Sequence, residues 1–245
     1  MYRVMLCAAA TLLTAVAVQP TAGGDRNDDV IAKCSRRLAI EPTNIECYMD
    51  RGEAYSSKHD YDQAIADYTQ AIRIDDPTFI RYAYQFRGMA YYDKGEYDRA
   101  IADYDQAIRL DPTLAFIYMW RGDAHRGKGD CDRAIADYDH EISNHNARKS
   151  DSTGYTPFFP GVYKSRGNLY KNKGDYDRAI SDYEELIRLQ PENAGAYSAR
   201  AEAFEAKGDY DHAIADFDQA LKLDPSLAAA QQGRERVQAL LTQGK

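Results

Sequence analysis

Tyr97-Asp98-Arg99-Ala100-Ile101 is a phrase that the chain writes five times with small changes. Its other versions are Tyr61-Asp62-Gln63-Ala64-Ile65, Cys131-Asp132-Arg133-Ala134-Ile135, Tyr176-Asp177-Arg178-Ala179-Ile180 and Tyr210-Asp211-His212-Ala213-Ile214. Most copies lie about 34 residues apart, the period of a helix-turn-helix solenoid. Each unit of such a stack touches only its neighbours, so the core is one long seam. The recurrence predicts a right-handed all-α solenoid, a fold that serves chiefly as a surface for holding other molecules.

Aligned on that phrase, the units span residues 45–78, 81–114, 115–148, 160–193 and 194–227, each reading as a helix A and then a helix B. A small residue falls at the eighth place (Gly52, Gly88, Gly122, Gly167, Ala201) and another at the twentieth (Ala64, Ala100, Ala134, Ala179, Ala213). Side chains of one carbon or none let two helix backbones approach closely, so these places mark where A crosses B. Large residues surround them: Tyr55, Tyr91, Tyr170 and Phe204 at the eleventh place, and Tyr68, Tyr104, Tyr138, Tyr183 and Phe217 at the twenty-fourth. Small against large fills a close-packed interior.

The punctuation agrees. Gly95, Gly129, Gly174 and Gly208 stand where helix A must turn in a left-handed conformation. Glu96, Asp130, Asp175 and Asp209 follow them, with Asp60 in the first unit, where an acidic group faces the positive end of helix B. His59 replaces the glycine in the first unit, at a cost of about 1 kcal/mol if it is left-handed. Helix B ends near Pro77, Pro112, Pro191 and Pro225.

At these residues the chain resembles the tetratricopeptide repeat family. The family's order of aromatic, Leu, Gly, Tyr, Ala, aromatic, Ala and Pro is met by Tyr84, Arg87, Gly88, Tyr91, Ala100, Tyr104, Ala107 and Pro112, with arginine at the Leu place. Arg51, Arg87, Arg121, Arg166 and Arg200 all depart in this way, and Asp67, Asp103, Asp137, Asp182 and Asp216 each follow sixteen residues later. Such regularity predicts structural ion pairs between helices. Residues 24–44 read as a lone helix B covering the first unit, and residues 228–245 as a second capping helix and tail. The third unit is irregular: Glu141 and Asn146 replace the usual Ala and Pro, and an insertion over residues 149–159 carries Tyr155, Pro157, Phe158 and Phe159. These aromatics suit docking on a neighbouring helix, a flap over the groove or a contact with another chain.

A net charge of -8 argues against nucleic acid or anionic lipid as a general partner. Residues 1–23 have the layout of a secretory signal peptide: Arg3, an apolar run over Val4–Val18, then Thr21, Ala22, Gly23 and Gly24. That run falls short of the roughly 20 residues that span a bilayer. The expectation is an exported protein, periplasmic or secreted, with no membrane span after the leader is removed. Export makes Cys34 and Cys47, on adjacent helices, candidates for a disulfide, whereas Cys131 reads as a buried free thiol.

Catalytic signals are weak. His140-Glu141 with His145 superficially suggests a metal-dependent hydrolase, but a spacing of five on a helix turns the imidazoles about 140° apart. A non-enzymatic scaffold or adaptor without cofactor or metal is the reading. Self-association into a structural assembly, through the aromatic insertion or the groove, stands as the alternative. The family resemblance implies that helices A line a concave groove, into which the second, fifth, ninth and twelfth places project. Transferred by position, the groove holds Met49 and Glu53; Tyr82, Gln85, Met89 and Tyr92; Phe116, Met119, Asp123 and Arg126; and Lys164, Asn168 and Lys171. Aromatic and Met side chains suit an apolar peptide or helix of a protein partner, and Arg126, Lys164, Asn168 and Lys171 suit an acidic group beside it. A clamp for a terminal carboxylate is disfavoured, because Glu202 stands where the family's next Asn would be.

Overall fold

The computed structural model describes residues 26–114, 116–150 and 159–243. The expected leader, most of the insertion and the last two residues lie outside them. Twelve α-helices and no strand make up the described residues. They are α1 (Arg26–Ile40), α2 (Ile45–Ser57), α3 (Tyr61–Ile74), α4 (Ile80–Asp93), α5 (Tyr97–Leu110), α6 (Ile117–Gly127), α7 (Cys131–Ser150), α8 (Gly161–Asn172), α9 (Tyr176–Leu189), α10 (Ala194–Lys207), α11 (Tyr210–Leu223) and α12 (Ala228–Gln243). Each helix packs on the next in chain order. The A helices also touch one another, α2 on α4 on α6 and α8 on α10 on α12, so the chain is an all-α solenoid.

The turns follow the chemistry of their residues. Gly95, Gly129, Gly174 and Gly208 have φ between 77° and 86°, and His59 adopts φ 62° at the same place. Asp60, Asp130, Asp175 and Asp209 accept hydrogen bonds from backbone amides three residues on, at 3.3–3.4 Å. Glu96, one methylene longer, makes no such cap and instead pairs with Lys94 at 2.8 Å and Arg99 at 2.7 Å. With Asn146 where a proline would stop it, α7 runs 20 residues against 14 for α5.

The seam is built from one contact used again and again. Tyr68, Tyr104, Tyr138 and Tyr183 are at most 2% exposed, and each lies flat against the glycine of its own helix A. A Cβ on Gly52, Gly88, Gly122 or Gly167 would fall 2.7–2.9 Å from that ring, closer than carbon atoms tolerate. Burying such a ring stabilises by on the order of 2 kcal/mol.

Beside the rings runs a ladder of charge. Arg51, Arg87, Arg166 and Arg200 each grip the aspartate sixteen residues on with two hydrogen bonds of 2.5–3.0 Å. Arg121 holds Asp137 in the same way at 2.6–3.2 Å. Each arginine also reaches back to the preceding helix B: Ser35, Thr69, Asp105 and Asp139 at 2.5–3.0 Å, and Glu184 at 3.9 Å. Arg234 of α12 completes the series on Asp218 at 2.5 Å. Thus α1 behaves as a lone helix B and α12 as a lone helix A. Across the array, Lys58 pairs with Asp28, Lys94 with Asp62 and Lys207 with Asp177 at 2.5–2.7 Å, tying the end of one helix A to the start of the helix B before it.

Two outcomes follow for stability. Gly88→Leu drives a side chain into Tyr104 and lowers the unfolding free energy by about 1–3 kcal/mol in urea titration. Arg87→Met leaves Asp103 buried without its partner and costs about 3–5 kcal/mol, whereas the pair Arg87→Met with Asp103→Leu recovers most of that loss.

Candidate protein-binding surfaces

The places expected to face the groove divide into three kinds. Tyr82, Met89, Tyr92 and Phe116 keep part of their surface open. Tyr82 lies under the Arg81 guanidinium at 4.5 Å. Tyr92 packs on Tyr97 with ring centres 5.5 Å apart, and Phe116 on Trp120 at 6.0 Å. Phe116 also has φ 64°, a left-handed conformation uncommon for a residue with a side chain. Met49 is half-buried against the core of the first unit, and Glu53 is exposed.

A second kind is buried. Met119 is 4% exposed and packs with Val162, Leu169 and Ala196, while Gln85 is 2% exposed. Both are core residues, which corrects the expectation that they face the groove. Ser198 at the same place is buried too, whereas Met49 is half-buried and Lys164 exposed.

The third kind is polar and already occupied. Asp123 accepts the Tyr138 hydroxyl at 2.7 Å and pairs with Arg126 at 3.1 Å. Asn168 accepts the Tyr183 hydroxyl at 2.7 Å. These residues satisfy the buried ends of core tyrosines, and burial with the nearby Asp123 carboxylate pushes the Tyr138 hydroxyl well above its ordinary range. Lys171 pairs with Glu202 at 2.5 Å, and Glu205 with Arg236 of α12 at 2.5 Å, so the last repeats carry a neutralised row. Of the expected basic patch, Lys164 is exposed and makes no ion pair among the described residues.

On the other side of α6 lies a cleft that sequence reading passed over. It has a volume of about 340 Å³ and is lined by Ile101 and Asp105 of α5, Arg121 and His125 of α6, and Arg133, Ala136 and Asp137 of α7. His125 occupies the eleventh place, where the other units carry Tyr or Phe; that break in the pattern was the available signal. At about 100° per residue, the eleventh place points roughly 160° from the ninth. Burial holds the imidazole below its ordinary pKa; its Nε2 is 3.9 Å from Asp137, and its Nδ1 has no hydrogen-bond partner.

Elsewhere, Cys34 and Cys47 are free thiols, and burial, followed by the neighbouring Cys47, pushes Cys34 up to about 12. Cys131 is also free and half-buried. Phe159, the described end of the insertion, packs against the core beside Val162. His140 packs on Tyr118 in a tilted arrangement with ring centres 3.9 Å apart. Among the described residues no three His, Cys, Asp or Glu side chains converge as a metal site, and no helix is long and apolar enough to cross a membrane.

Comparison with known proteins agrees with this geometry. Models described as tetratricopeptide repeat match residues 45–76 and 165–234, and one described as TPR repeat matches residues 88–129. The chain belongs to the tetratricopeptide repeat family. Among solved structures, it is similar to MamA, with 27% identity, a TM-score of 0.64, and coverage of 75% of this chain and 93% of that one. MamA from Desulfovibrio magneticus RS-1 is similar at 16% identity and a TM-score of 0.64, covering 75% of this chain and 97% of its own. YrrB, described as a TPR protein with an unusual peptide-binding site, shares 17% identity with a TM-score of 0.66 over 82% of this chain and 97% of its own. A search of curated proteins finds no match.

Proposed function

We propose that the protein is a non-enzymatic interaction scaffold that holds a peptide or helix of a partner protein along its A helices. The observation that carries this reading is the set Tyr82, Met89, Tyr92 and Phe116, large side chains left partly open together on α4 and at the start of α6. Aromatic and Met groups at a partly desolvated surface supply most of the binding energy in such contacts. The unpaired Lys164 gives an acidic group of the partner its place, because Lys171 and Asn168 are engaged within the protein. The peptide-binding site ascribed to YrrB supports the same use of the fold.

Export is part of the proposal, resting on Arg3 and the apolar run over Val4–Val18. In an oxidising compartment the adjacent Cys34 and Cys47 thiols would join as a disulfide that staples α1 to α2. Sequencing of the cellular protein is expected to begin after residue 17 or 23, and non-reducing peptide mapping to give a Cys34–Cys47 crosslink. A retained Met1 with both thiols free removes this part.

The groove is tested with a displayed library of random peptides. The protein is expected to enrich peptides with apolar anchors and an acidic residue. Tyr82→Ala with Lys164→Glu should weaken the selected peptides at least about tenfold, or 1.4 kcal/mol, at an unchanged melting temperature. Equal affinity for the double variant overturns the groove.

A further inference from the structure

Three units pair the eleventh and nineteenth places in one way. Arg99 lies over Tyr91 at 5.5 Å and Arg178 over Tyr170 at 4.7 Å, while His212 stacks on Phe204 at 5.1 Å. The guanidiniums are held by the acid that precedes each helix B, Arg99 by Glu96 and Arg178 by Asp175. Arg133 is held in the same way by Asp130 at 3.4 Å, yet the side chain at the eleventh place of its unit is only the imidazole of His125. The third unit thus keeps the lid and lacks the phenol beneath it. Beside that shorter ring, which forms one wall, lies the cleft of about 340 Å³ between α5 and α7.

We infer that this cleft is a receptor for a tyrosine side chain presented by a partner polypeptide, which supplies in trans the ring that the sister repeats supply in cis. Ile101 and Ala136 give the ring apolar walls, and Arg133 covers its face as Arg99 covers Tyr91 and Arg178 covers Tyr170. Asp105 engages Arg121 through one carboxylate oxygen, so the other is free to accept the phenol O–H. A phenylalanine would fill the space without the bond to Asp105, and an anionic ligand would find Arg121 and Arg133 already balanced by Asp105 and Asp137. The site lies on the other side of α6 from the groove, so a partner could engage both faces, and its test is independent of the groove reading.

N-acetyl-tyrosinamide is the probe, titrated into the full isotopically labelled protein and followed by NMR. Saturable shifts are expected at His125, Arg133 and Ala136, with N-acetyl-alaninamide giving none and N-acetyl-phenylalaninamide binding at least several-fold more weakly. His125→Tyr places the sister repeats' own ring in the cleft; it should weaken binding tenfold or more and raise the melting temperature. If that variant misfolds, Ala136→Leu at the exposed rim should block the probe while keeping the fold. Tyr82→Ala with Lys164→Glu should bind the probe as the parent does. An absence of saturation, equal shifts with inorganic phosphate, or unchanged binding in a folded blocked variant would overturn the assignment.

Discussion

The structure depends on the contact between a glycine on one helix and a tyrosine face on the next. A helix pair can close to that distance only where one partner has no side chain, and the ring then fills the space that the missing side chain leaves. Because the contact recurs in four of the five repeats, it sets how each pair packs, and with it which side chains the stack leaves open. Ala201 with Phe217 plays the part in the last repeat, where the C-terminal helix presses Gly233 onto the same ring.

The arginine ladder does different work. Burying a guanidinium beside a carboxylate is a weak source of net stability, because desolvation offsets much of the attraction. A leucine at that place, the family's usual choice, would pack with many partners. An arginine that must satisfy Asp103 of its own repeat and Thr69 of the one before is correctly placed in one register only. The ladder therefore specifies how repeats stack, and it extends into both caps, where Ser35 and Arg234 stand at its ends.

Departures from the pattern concentrate in the third repeat. Its eleventh place is His125, its helix B runs on through Asn146, and it leads into the insertion. The packing places tolerate little change, since a single methylene is felt in a close-packed seam, and the third repeat breaks several of them.

Residue type and spacing decided by themselves that this chain is a solenoid, where its helices turn, and that its arginines pair with aspartates sixteen residues on. Those features are local or repeat with the period, so a linear reading reaches them. Which groove places stay open was decided only by tertiary packing. Met119 and Gln85 share their places with the exposed Lys164, yet are buried, because exposure depends on which side chains the neighbouring helices bring against each place. Lys171 looked available for a ligand until Glu202, thirty-one residues away, took up its charge. The cleft at His125 likewise exists only between three helices, and a missing ring becomes a cavity only when its neighbours hold their positions around it.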